Sequence, residues 1–113
     1  MGRSVYQYSV RDLNEAKEIA ERILQENEFR QKTLRTGELV WVRGYALISS
    51  QQFVSLYYIK EEHKVLIYAW IQGGFGVPGM GEKELEGLGA IIPRRKLARV
   101  IIAIENEMEK IRL

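Results

Sequence analysis

Apolar positions recur along this chain with two different periods, and each change of period marks a new element. Leu13, Ala16, Ala20, Ile23, Leu24 and Asn27 follow one another at steps of three and four, which predicts a helix with one buried side that ends near Glu28. Glu15, Lys17, Glu18, Glu21, Arg22 and Glu26 cover its other side. Near the C-terminal end Leu97, Val100, Ile101, Ile104, Met108 and Ile111 make a second stripe of this kind, opposite Lys96, Arg99, Ala103, Asn106 and Lys110, with Ile102 as an exposed exception. Between the two stripes the period shortens. Phe29 to Thr36 alternates loosely, Gly37 offers a turn, and Glu38 to Arg43 holds the extended-chain formers Val40, Trp41 and Val42. Phe53 to Lys60 and Lys64 to Gln72 are the clearest strands, and Glu61, Glu62 and His63 join them as a hairpin. A short strand over Val5 to Ser9 precedes the first helix, while Tyr45 to Gln51 reads as strand at its start and as a turn over Ser-Ser-Gln-Gln.

Local signals place the helix ends. Asp12 with Glu15 three residues on fits a capping box, and Ser9 with Asp12 is an overlapping fit. Gly73 to Lys96 holds seven of the ten glycines, so it reads as a shaped loop, and Pro93 supplies the fixed φ suited to a first helical position. The resulting order is β-α-β-β-β-β-α, a two-layer α+β domain of two amphipathic helices on an antiparallel sheet. That order is the layout of the TATA-binding-protein-like (TBP-like) and helix-grip-like folds, an analogy that carries no function with it.

A chain of 113 residues suits one domain, residues 1–113, with one core. Its 46% hydrophobic and 28% charged residues are those of an ordinary globular protein, and no apolar run approaches the roughly 20 residues of a membrane helix. No secretion signal is visible at the start, which makes the cytoplasm the expected location. Cysteine is absent, which removes disulfides and thiolate metal sites. Seventeen basic and 15 acidic residues give a net charge of +2, too balanced to predict nucleic-acid binding.

Few residues point to chemistry. Gly74, Gly76 and Gly79 have the G-x-G-x-x-G spacing after a strand, but Pro78 interrupts it and no helix follows directly, unlike a dinucleotide fingerprint. Arg94, Arg95, Lys96 and Arg99 crowd the start of the last helix. They read either as a solvated cluster paired with Glu82, Glu84 and Glu86, or as an anion site built with the helix N-terminus. His63 is the only histidine and sits in a turn, and Asp12 is the only aspartate and is taken by a cap. Neither a metal site nor a catalytic triad is therefore expected, no cofactor is implied, and an enzyme is not the leading expectation.

The two best strands are apolar in both parities, with Val54, Leu56 and Tyr58 against Phe53, Tyr57 and Ile59, and Leu66, Tyr68 and Trp70 against Val65, Ile67 and Ala69. A sheet with helices on one side only should show a polar second face, so that face is expected to be covered. The long connector folds over it, another partner covers it, or a homodimer buries it, with Trp41, Tyr57 and Trp70 as candidate anchors.

Gly37-Glu38-Leu39-Val40-Trp41, Ala69-Trp70-Ile71, Gly81-Glu82, Leu85, Gly87, Gly89-Ala90, Pro93-Arg94-Arg95 and Leu97 together resemble an uncharacterised bacterial family. In that family an α+β domain often follows a zinc ribbon. The resemblance implies no activity, and the ribbon cysteines are missing here. The expected function is a non-catalytic binding or interaction module acting through the sheet face or the glycine-rich connector. The alternative is a small-molecule or anion pocket of helix-grip type.

Overall fold

The computed structural model describes residues 3–44, 51–72, 82–83 and 91–113, with backbone alone for 82–83 and 91–94. Asp12 decides where the first helix, α1 (Leu13–Glu26), begins. Its backbone is extended, and its carboxylate accepts the Asn14 and Glu15 N–H groups at 2.9 and 3.3 Å, two of the four donors a helix start leaves open. The return arm of the capping box is not made. Glu15 turns instead to the Arg11 guanidinium, at 3.3 and 3.4 Å. At its far end α1 stops without a glycine. Asn27 is the C-cap, Glu28 takes a left-handed φ of 66°, and the N–H groups of Glu28 and Phe29 reach back to the carbonyls of Gln25 and Leu24. This is a Schellman closure, with Leu24 and Phe29 both buried in the core beside it. The Arg43 guanidinium donates to the free Asn27 carbonyl at 3.1 Å and lies over the Phe29 ring.

Five strands make one antiparallel sheet: β1 (Ser4–Ser9), β2 (Arg30–Thr33), β3 (Leu39–Arg43), β4 (Gln51–Ile59) and β5 (Lys64–Gln72), in the order β1-β5-β4-β3-β2. The expected α+β order is thus the observed one. A two-residue strand, β6 (Glu82–Lys83), adds to the end of β5 at Ile71 and Gln72, inside a stretch expected to be loop. The Ser-Ser-Gln-Gln turn is corrected in part, because Gln51 and Gln52 are already strand and pair with Gln72 and Ile71. The β2–β3 turn closes with Leu34 N–H donating to Glu38 O at 2.8 Å, and Gly37 supplies its φ of 91°. The last helix, α2 (Ile91–Lys110), begins two residues before Pro93. Proline is tolerated there because first-turn N–H groups have no helical acceptor. The rest of the connector, with Gly74, Gly76, Gly79, Glu84 and Glu86, lies outside the described residues, as does 45–50.

Register decides which side chains meet the helices. Val54 pairs with Ala69, so even-numbered β4 residues share a face with odd-numbered β5 residues. Val54, Val65, Ile67, Ala69 and Ile71 therefore form one floor, and the stripes of α1 and α2 pack onto it. The five apolar stripe positions within α2 are buried, as is Ile111 just beyond its end, and Ile102 is exposed. On α1 Ile19 joins the buried face, while Leu13 is only half-buried. The second sheet face has its own cluster of Val40, Val42, Phe53 and Trp70, with Leu34 and Tyr68 against it. Arg11 N–H donates to Ile111 O, and Leu113 N–H to Ser9 O, which ties the end of α2 to the β1–α1 joint.

Candidate binding surface on the second sheet face

The second face is divided in two. In one half Val42, Phe53 and Trp70 stand side by side in register, and the Phe53 and Trp70 rings stack with centroids 5.3 Å apart and planes 4° from parallel. Trp70 is 1% exposed. In the other half the rows are Ser55, Tyr68 and Val5, then Tyr57, Leu66 and Gln7. Here Val5 is 54% and Tyr57 42% exposed, and the Tyr57 and Tyr68 rings meet edge to face at 5.4 Å.

A polar strut runs along the boundary. Arg3, just before β1, places its guanidinium carbon 3.6 Å from the centre of the Trp70 ring, a cation–π contact, and then reaches Glu38 at the start of β3. The pair is bidentate, at 2.9 and 3.1 Å. Glu38 also accepts from the Ser55 hydroxyl at 2.9 Å and from the Tyr57 hydroxyl at 2.6 Å. The Arg3 hydrogen bonds are the main reason that the Glu38 carboxyl titrates at about 2, and the Tyr57 and Ser55 hydroxyls add to the effect against the opposing cost of burial. Donation to Glu38 in turn raises the Tyr57 phenol, whose proton the carboxylate holds in place. This half of the face therefore presents apolar rings beside an Arg3–Glu38 pair whose charges neutralise each other.

The three anchor residues expected from the sequence do not stand together. Tyr57 and Trp70 share the second face, but Trp41 pairs with Val54 and belongs to the helix-side core, where it is 5% exposed. The reason is register, since Trp41 has the parity of the covered floor. Trp70 is buried within the chain, so of the three only Tyr57 is open to a partner. Val5, Arg3 and Glu38 were not singled out by pattern reading. Their one sequence signal is the odd parity of Val5 in the first strand, which needs the β1–β5 register before it means anything.

Of the basic cluster, Arg95, Lys96 and Arg99 are exposed on α2, and the side chain of Arg94 lies outside the described residues. Because α2 starts at Ile91, Arg99 is eight residues into the helix, about 12 Å along the axis from the N-terminal amides. His63 has a left-handed φ of 52° at the end of the Lys60–Glu62 turn and is exposed. Among the described residues no three acidic, histidine or cysteine side chains converge as metal ligands would. Also among them, no helix is long and apolar enough to cross a membrane. Comparison with known proteins returns no family model, no curated protein and no solved structure with a significant match to this chain.

Proposed function

We propose that this chain is a non-catalytic interaction module that docks a protein surface on the open half of its second sheet face, with a second copy of itself as partner. The observation that carries the reading is the exposure of Val5 and Tyr57 beside half-buried Leu66 and Tyr68 on a patch where Arg3 and Glu38 neutralise each other. Such a patch suits another apolar surface. Two-fold pairing places each patch on its own copy, so one surface provides both sides of the contact. Val5, Tyr57 and Leu66 take the anchoring role, since Trp41 and Trp70 are interior.

Light scattering tests this directly. The dimer mass is expected at about 100 μM, an affinity within reach of a small apolar contact. Val5→Glu puts a charge in the middle of the patch without touching the core and should give the monomer mass with an unchanged melting temperature. A wild-type monomer at every concentration, or a dimer indifferent to Val5→Glu, overturns the reading.

A further inference from the structure

β1 and β2 stand at the two ends of the strand order, and they are protected unequally. β2 is four residues long, wholly exposed, and carries Arg30 and Lys32, a charged rim of the kind that keeps edge strands from pairing with other chains. β1 runs for six residues, Ser-Val-Tyr-Gln-Tyr-Ser, with no charge, proline or glycine. Such a strand is a ready template for another.

Hydrogen bonds at the β1–α1 joint show which backbone groups face outward. Val10 N–H donates to His63 O on the β5 side, whereas Arg11 N–H donates to Ile111 O, and Leu113 N–H to Ser9 O, on the other side. Backbone groups alternate along a strand, so Val5 and Gln7 also present N–H and C=O outward. Neither residue is paired there among the described residues, and both are exposed. Arg112 and Leu113 thus already lie antiparallel against the far end of this edge, with Arg112 bridged to Val10. From Tyr8 back to Ser4 the outer side takes no strand among the described residues.

We propose that the outer edge of β1 receives an extended segment of another protein as an added antiparallel strand, with a lysine or arginine opposite Tyr8. Val5 and Gln7 each exchange a pair of hydrogen bonds with the residue facing them. The cation is called for by a cleft of about 310 Å³ between Tyr8 and α2, on the side to which a residue opposite Tyr8 points. Glu105, Glu109 and Arg112 line it. Arg112 is paired with Glu109 at 3.4 Å, while Glu105 has no ion pair among the described residues, so one negative charge is left over. The β1 strand of a second copy does not meet that charge, because its residues of the required parity are Ser4, Tyr6 and Tyr8. This edge uses backbone groups in the plane of the sheet rather than the docking patch above it, and neither reading depends on the other.

The test is amide hydrogen exchange and a ¹H–¹⁵N titration of the full chain with a peptide of sequence lysine-threonine-valine-valine-threonine, acetylated and amidated at its ends. In the free protein the Val5 and Gln7 amides should exchange quickly and those of Tyr6 and Tyr8, bonded to β5, slowly. The peptide should give saturable shifts centred on Val5 and Gln7, slow the exchange of both, and bind with a Kd of the order of 1 mM. The same peptide N-methylated at its second and fourth residues loses the donors that face Gln7 and Val5, and should bind at least about tenfold more weakly. Glu105→Lys, an exposed change, should weaken the lysine peptide about threefold and favour a peptide with glutamate in place of lysine. The proposal is overturned by Val5 and Gln7 amides that are slow in the free protein, whether at every concentration or increasingly as a second copy takes the edge. It is equally overturned by the absence of saturable shifts up to about 20 mM peptide, by an N-methylated peptide that binds as well, or by a charge preference that Glu105→Lys leaves unchanged.

Discussion

Glu38 takes four hydrogen bonds on one carboxylate, two from Arg3 and one each from Ser55 and Tyr57. Its folded titration value, about 2, lies below its ordinary 4.5, so between those values the unfolded chain binds more protons than the folded one. Stability is therefore full above the ordinary value and falls as pH drops through that window. Urea midpoints from about pH 6 to about pH 2.5 should show the loss in the wild type and much less of it in Glu38→Gln, which at neutral pH should itself be about 1–3 kcal/mol less stable. Little of this hub is legible in the sequence, since Arg3 and Glu38 are 35 residues apart and meet only through the register of strands between them. Asp12 is the contrary case, because a cap is a local event with its donors two and three residues away. Glu28 lies between these cases. The expected end of α1 is off by two residues because the closing position carries no glycine to announce it, and a glutamate is held at φ 66°. Glu28→Gly should relieve that conformation and raise stability by about 0.5–1 kcal/mol in chemical denaturation.

Among the elements, the helices are the most legible, because a three- and four-residue stripe survives whatever packs on it. The prediction at this scale contrasts two neighbouring isoleucines of α2. Ile104→Ala should cost about 2–5 kcal/mol by leaving a cavity between the layers, whereas Ile102, 52% exposed, should tolerate the same change within about 0.5 kcal/mol. Thermal or urea unfolding separates the two outcomes. The start of β4 is less legible for a physical reason. Gln51 and Gln52 look like turn residues, yet Gln52 is buried in the strand because its side-chain oxygen accepts from the Arg43 guanidinium on the neighbouring strand. A polar residue satisfied by a distant partner leaves no trace in a local pattern. The short strand β6 is invisible for a similar reason, being two residues of charge whose pairing depends on where β5 ends.

At the scale of the whole molecule, the period of two correctly indicates that both sheet faces are apolar, and each face indeed has its own core. What the period leaves open is how the parities of adjacent strands combine, and that separates Trp41 from Trp70. The mass expected from light scattering, with Val5→Glu as its control, now rests on the register rather than on the tryptophans. The strand order has a further consequence, in time rather than in space. Among the described residues the first strand pairs with the fifth alone, its residues Ser4–Ser9 facing Ala69–Lys64 about half the chain's length away, while β2 through β5 are joined by successive neighbours. Closing the large loop is entropically dear until the β4–β5 hairpin offers a finished edge, so the N-terminal segment is made first and seated last. Truncating Leu56 in that hairpin should slow refolding, whereas truncating Tyr6 in β1 should leave the refolding rate nearly unchanged and speed unfolding.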